Sequence, residues 1–444
     1  MKDLRIEHQE ELTGISEAVV RERGSKLQAY TGQLQDVIQK SDWQSDEASL
    51  LLPDTDTTLV QAMVAKKKTP NLKYIVVIGI GGSNLGAYAV YQALYGSEDA
   101  FVVDRFPKLV FADTVSTTLL HRLAEILQQV QLPEEILIVL ISKSGTTTET
   151  VSNADILFEP LLVRFGATFI ERIVVITDEG SKLHTLSQEK HIDTLFVPAK
   201  VGGRFSVFSP IGLFPLGMAG VDIKALLSGA KAVRDAFLAA EDVLENKSLV
   251  SAVLQKLWQE KGYTIHNSFF FNPELEMVGK WYRQLTGESL GKSHDRQGSL
   301  VNAGITPMVS IGSTDLHSMV QLYFGGPRDK FTSFVFAPNA ESPRVSSNGL
   351  LSGLVMGIEG KSADDILQAI YEAVKISYRQ HELPYMEVSL PEISAFTLGQ
   401  YLQFRMLEMM YLAQLFNVNA FDQPNVEDYK SEMRKALNSS KASE

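Results

Sequence analysis

Residues 141–149 read Ile-Ser-Lys-Ser-Gly-Thr-Thr-Thr-Glu, and five of these nine side chains are hydroxyls. Neutral hydroxyl donors, amides turned inward at Gly145 and the positive end of a following helix suit a phosphate monoester. The plainer reading is a Ser/Thr-rich turn that caps a helix. A second loop, 79–86, reads Gly-Ile-Gly-Gly-Ser-Asn-Leu-Gly between an apolar strand and an apolar-periodic helix. It offers a backbone anion site at the helix start, or simply a tight turn. As a dinucleotide fingerprint it is broken, because Asn84 stands where the last glycine of the pattern belongs. Gly202 and Gly203 free the backbone ahead of Arg204, which points either into a cleft between domains or outward from a surface turn.

Three further residues could move protons. Met277, Val278, Trp281, Tyr282 and Leu285 recur at helical spacing, so a helix is predicted to end near Gly287 with Glu288 just past it. A carboxylate at the negative end of a helix is destabilised as the anion and becomes a better base, or it is simply solvated there. His317 is predicted in the first turn of its helix, where the dipole disfavours the imidazolium; otherwise it is a helix-face histidine making one hydrogen bond. Lys430, in the stretch 421–430 that begins another helix, is by itself a surface lysine. The stretch 287–293 imitates a phosphate-binding nucleotide loop but is one residue short between its glycines and follows a helix, so nucleotide binding is set aside. The eight histidines include no pair at zinc-binding spacing, and no metal is expected.

These residues need a scaffold, and the strand signals provide one. Apolar, β-branched runs at 73–80, 108–111, 136–140, 173–176 and 194–197 alternate with helical stretches. That pattern predicts an α/β protein with a mainly parallel sheet flanked by helices and sites at the carboxyl ends of its strands. After a helical stretch at 222–261, strands at 268–271, 308–310, 331–336 and 386–388 predict a second such sheet. The strand, Ile-Gly, Ser-loop and helix of 308–324 echo 77–94, a faint internal duplication. Residues up to about Thr69 look helical, ending in Lys66, Lys67 and Lys68, which read as a solvated helix end.

Composition bounds the rest. With 444 residues, 45% hydrophobic and 21% charged, the chain can bury two or three domain cores. A net charge of −12 argues against non-specific nucleic-acid binding. Cysteine is absent, which removes disulfides and thiolate sites. Residues 1–17 lack the apolar centre of a signal peptide, and a cytoplasmic protein is expected. The apolar stretch 205–221 is interrupted by Ser206, Ser209, Pro210, Gly212, Pro215 and Gly217, and reads as core rather than a membrane span.

Taken together, GIGGSNLG (79–86), SKSGTTTET (142–150), VGGRFS (201–206), QLTGES (284–289), GSTDLHSMVQLY (312–323) and FDQPNVEDYK (421–430) resemble, in order and approximate spacing, the glucose-6-phosphate isomerase family in a compact bacterial-type form. The resemblance implies two sugar-isomerase domains: a helical segment 1–69 packing on the second domain, a phosphate-binding domain 70–205 and a second domain 206–444. It implies a cofactor-free, homodimeric enzyme of glycolysis and gluconeogenesis that interconverts glucose 6-phosphate and fructose 6-phosphate. Carried onto this chain, Ser142, Ser144, Thr146 and Thr147 hold the phosphate with Lys143 beside them, and Gly82 and Ser83 meet the sugar. Glu288 moves the proton through an enediol, Gln284 and Gln423 bind substrate, and Arg204 stabilises the enediolate. His317, supplied by the neighbouring subunit, and Lys430 open the sugar ring. Pro424 and Asn425 depart from the family pattern, which bears on the shape of that loop. Activity on mannose 6-phosphate, a non-catalytic sugar-phosphate sensor and an NAD-dependent dehydrogenase are the other readings; the joint presence of Glu288, His317, Arg204 and Lys430 counts against the sensor, and Asn84 against the dehydrogenase.

Overall fold

A computed structural model describes residues 3–339 and 341–439. Its strands are β1 (Arg5–Glu7), β2 (Tyr74–Ile78), β3 (Lys108–Ala112), β4 (Ile136–Ile141), β5 (Ile173–Thr177), β6 (Asp193–Phe196), β7 (Ile265–Phe270), β8 (Lys292–His294), β9 (Leu300–Ala303), β10 (Thr306–Ile311), β11 (Lys330–Phe336) and β12 (Tyr385–Ser389). The first sheet, in order β3-β2-β4-β5-β6, is parallel throughout. In the second, β10-β7-β11-β12 are parallel and β1 closes the edge antiparallel to β12. Among its parallel strands each sheet therefore places the first between the second and third, which gives the expected α/β class and the same winding twice.

The apolar runs form strands because both faces of each sheet are covered. In β4, Ile136, Ile138 and Leu140 point into a core shared with helices Thr117–Gln129 and Thr148–Phe165, while Leu137, Val139 and Ile141 face a larger core. That larger core is continuous with the inner face of the second sheet through Phe270, Phe331 and Val335. The opposite face of the second sheet packs Phe269, Phe271 and Phe334 against Tyr371 and Tyr378 of helix Ala363–Gln380. The 22-residue helix Ala395–Phe416 runs through the large core. It crosses Ile223–Ala239 so closely that a Cβ on Gly229 would lie 1.9 Å from the Phe396 carbonyl oxygen, a contact only glycine permits.

Several elements differ from expectation. The 222–261 helix is two, Ile223–Ala239 and Lys247–Glu260, each started by a side-chain cap from Asp222 and Asn246 respectively. The N-terminal segment is not purely helical, since β1 joins the second sheet. Helices Glu10–Thr13, Glu17–Ser25 and Gln28–Gln39 are separate, the first ended by a left-handed Gly14. Lys67 is buried rather than solvated: its ammonium pairs with Asp193 at 2.7 Å. Strand β7 starts three residues early, at Ile265, because polar His266 and Asn267 are buried within it. The hairpin β8–β9 was not anticipated. No helix among the described residues is long and apolar enough to cross a membrane.

His266 belongs to a buried polar cluster behind the helix that carries Glu288. Its Nε2 meets Ser333 Oγ at 2.8 Å and its Nδ1 meets Tyr282 Oη at 3.2 Å. Tyr282 donates to Glu408 at 2.7 Å, and Glu408 accepts from Arg405 at 2.7 Å. Burial, and then the Arg405 charge, hold the imidazole well below its ordinary value of 6.5. The unfolded chain thus takes up this proton first, and stability is lost as pH falls below about 6.5. This histidine contributes at most about 1.4 kcal/mol per pH unit. Urea midpoints of wild type and His266→Gln from pH 7.5 to 5 should show the variant less stable at the top of the range and flatter below 6.5; parallel curves would exclude the histidine as the source.

Candidate active site

The crevice of the first sheet opens where its strand order reverses, between the carboxyl ends of β2 and β4. Strand register sets Ile78 beside Leu140, so the loops that follow, 79–84 and 142–147, are neighbours. In the second loop Ser142 Oγ and Thr147 Oγ1 lie 3.0 Å apart, Ser144 Oγ and Thr146 Oγ1 lie 3.3 Å apart, and the Gly145 N–H donates to Ser142 Oγ at 3.1 Å. Thr147 is the residue before helix Thr148–Phe165, so these hydroxyls cluster at a helix N-terminus as expected. Lys143 turns aside: its ammonium donates to the carbonyls of Ala199 and Val201 at 2.6 and 3.0 Å. That tethers the hydroxyl loop to the segment leading to Arg204. Asp178 lies beneath, and burial raises its carboxyl despite Lys143.

The third loop meets the first almost backbone to backbone. A Cβ on Gly82 would lie 2.2 Å from the Gly203 carbonyl carbon, so position 82 admits no side chain. Ser206 Oγ donates to the Gly82 carbonyl at 3.2 Å, and Ser83 sits in the short turn Gly81–Ser83. Arg204 resolves the open choice: it is a buried cleft residue, 2% exposed. Its Nε donates to Ser289 Oγ at 3.0 Å, and Nη1 to Glu288 Oε2 at 3.3 Å and to Gln423 Oε1 at 3.1 Å. Nη2 donates to the carbonyls of Ala420 and Asp422. Burial lowers its pKa, opposed by Glu288 and Asp422.

Glu288 comes from the helix that follows β7 of the second sheet. Helix Glu276–Leu290 packs on helix Leu85–Tyr95 of the first, which carries its last turn to the crevice. Glu288 therefore lies inside that last turn rather than beyond the helix, because intrahelical bonding continues to Leu290 past Gly287. Its side chain keeps 31% exposure, so the carboxylate is reachable while the guanidinium beside it is fixed. Gln284, one turn earlier, donates to Glu288 Oε1 at 2.9 Å, and its own Oε1 is buried without a protein partner among the described residues.

His317 is elsewhere. It is exposed, in a five-residue helix Thr314–Ser318 after β10, and a helix this short, with the histidine in its last turn, does not support the first-turn dipole argument. Helix Glu276–Leu290 runs back along β10: Gly279 packs on Val309, and Gly291 stands beside Gly304. Glu288 consequently lies by the amino end of β10 and His317 beyond its carboxyl end, with roughly 17 Å of strand between them. Lys430 is half-buried in helix Glu427–Ser439, just beyond the Pro424–Val426 turn that follows Gln423.

Two contacts escaped the sequence reading. Ser289 accepts the Arg204 Nε–H, and buried Lys292 donates to the carbonyls of Glu288 and Asp422. The signal for Lys292 was its i+4 spacing from Glu288, obscured by its resemblance to a nucleotide-loop lysine.

Two doubly wound sheets that set a hydroxyl-rich loop near a paired carboxylate and guanidinium define an α/β enzyme for a small anionic substrate. The phosphoglucose isomerase family model matches residues 58–444, and the chain belongs to that family. It is 32% identical over 384 residues to the glucose-6-phosphate isomerase of Carboxydothermus hydrogenoformans, covering 85% of this chain and 82% of that protein. The Methanocaldococcus jannaschii enzyme of the same name is 34% identical over 357 residues, 80% of this chain and 82% of that one. Among solved structures, a hypothetical protein of Thermus thermophilus superposes with a TM-score of 0.86 at 30% identity over 98% of this chain and 99% of that one. A glucose-6-phosphate isomerase of Chlamydia trachomatis shares the fold, with a TM-score of 0.71 at 23% identity over 96% of this chain and 75% of that one.

Proposed function

We propose that this chain carries out the reaction of its family, the reversible isomerisation of glucose 6-phosphate and fructose 6-phosphate, with Glu288 as the base. The observation that carries the reading is the Glu288–Arg204 pair at 3.3 Å, an accessible carboxylate beside a fixed buried cation. Glu288 removes the proton from C2 of the opened aldose, leaving a cis-enediolate charged on O1; the O2 hydroxyl proton passes to O1, and Glu288 returns its proton to C1 to give the ketose. Arg204 stabilises the oxygen on which negative charge develops in between, a donor set in place before reaction. Ser142, Ser144, Thr146 and Thr147 hold the phosphate, Lys143 keeps their loop in place, and Gly82 and Ser83 meet the sugar. Gln284 offers its unpartnered Oε1 to a substrate hydroxyl, and Gln423 binds beside Arg204. The segment 1–69, the phosphate-binding unit 70–205 and the base-bearing unit 206–444 divide this work. The test is fructose 6-phosphate formation by purified protein without added metal or nucleotide, with mannose 6-phosphate alongside. Binding without turnover would leave a sugar-phosphate sensor.

Ring opening needs His317 and Lys430, and the same reading takes His317 from a second copy of the chain in a homodimer. Its support is the separation along β10 and an exposed apolar excursion after β11, where Leu350, Leu351, Leu354 and Met356 are 101, 70, 76 and 93% exposed. Mixing His317→Ala with Glu288→Gln subunits should restore about one quarter of wild-type activity, the statistical share of sites that draw one intact residue from each copy. No recovery after the subunits are mixed under refolding conditions would remove the shared site.

A further inference from the structure

Lys292 is a buried cation that, like Arg204, touches both halves of the proposed proton-transfer site, and the reaction as described does not use it. Its side chain is 4% exposed. The ammonium donates to the Glu288 carbonyl and, at 2.8 Å, to the Asp422 carbonyl, and it pairs with the Asp422 carboxylate at 3.4 Å. Burial lowers its pKa, and so does Arg204 nearby, while Asp422 and Glu288 oppose them. A lysine is kept charged in such a place by the anions and carbonyls around it.

The geometry explains what those contacts hold. The Glu288 carbonyl lies in the last turn of helix Glu276–Leu290, where carbonyls have no intrahelical donor. The ammonium supplies one and suits the negative helix end. Its other contacts fall on Asp422, within the short segment whose Ala420 and Asp422 carbonyls and Gln423 amide receive Arg204. One side chain thus ties the backbone of the base to the frame of the guanidinium, two elements more than 130 residues apart in sequence. Resting on the reading of Glu288 as base, we propose that Lys292 is a positioning residue that fixes Glu288 relative to Arg204 while touching no substrate itself. The hydroxyl loop at 142–147 makes none of these contacts, so phosphate binding should be indifferent to Lys292.

The expected signature is therefore a loss of kcat without a loss of binding. Lys292→Met should lower kcat about 10-fold to 100-fold, the scale of a misplacement on the order of 1 Å, with KM within about threefold. Asp422→Asn, on a half-exposed side chain, should leave the fold intact and lower kcat less. In a double-mutant cycle the second change should add little to the first, because both break one tie. Activities are normalised to folded protein from thermal melts, and Glu288→Gln is run in parallel. Lower Tm with unchanged kcat in Lys292→Met, or additive kcat losses in the cycle, would overturn the proposal. If Lys292→Met does not fold, Asp422→Asn with wild-type kcat overturns it. Full activity in Glu288→Gln would instead overturn the base assignment, a separate failure.

Discussion

Glu288→Gln should lower kcat by roughly 1,000-fold while leaving KM and Tm close to wild type. The substitution is isosteric: an amide oxygen at 288 can still accept from Arg204 Nη1, now 3.3 Å from Oε2, and its oxygen or its NH2 can face Gln284. The hydroxyl loop is untouched, so the sugar phosphate still binds. What disappears is the lone pair able to take a proton from carbon. Steady-state kinetics, joined by exchange of the substrate C2 hydrogen with solvent deuterium, separate this from a folding defect: both rate and exchange should fall together. A loss under about tenfold would mean that Glu288 only orients substrate.

Arg204→Gln should cost kcat on the order of 100-fold to 1,000-fold, the range for removing one preorganised donor from developing negative charge. It should also destabilise the fold by about 2 kcal/mol, because the Ala420 and Asp422 carbonyls lose their donor and Ser289 its partner. Arg204→Lys separates the two effects. It keeps a positive charge in the site, yet a single ammonium cannot span Ser289, Glu288, Gln423 and two carbonyls at once as the planar fork does. Partial recovery of stability with little recovery of kcat is the expected result, read from thermal melts and rates per folded protein. Equal recovery of both would reduce Arg204 to a structural clamp.

Much of this protein is written locally. Runs such as Ile136–Ile141 are strands on composition alone, because β-branched residues pack well in a sheet covered on both faces. The loop after β4 advertised a phosphate-type site through hydroxyl density, and the six ordered motifs pointed to the family that the comparisons establish. Local signals failed where a partner distant in sequence decides the outcome. By contrast, the start of helix Pro210–Met218 is decided locally, by Ser209 accepting the Ile211 N–H. Strand β7 was misplaced because His266 and Asn267 are polar, and their burial is intelligible only with Ser333, Tyr282 and Ser310 around them.

The sequence by itself determined which residues could do chemistry: a hydroxyl loop, a glycine-flanked arginine, a carboxylate near a helix end, and strands to carry them. Only the tertiary structure decided how they combine. It buried Arg204, which a turn alone could equally have left in solvent, and set Glu288 against it by packing helix Glu276–Leu290 on helix Leu85–Tyr95. It also separated His317 from Glu288 by the length of β10 and drew Lys292 into the site. The reason is one of range: side-chain type and backbone propensity act within a few residues, whereas burial, pairing and distance between charges depend on elements hundreds of residues apart sharing one core.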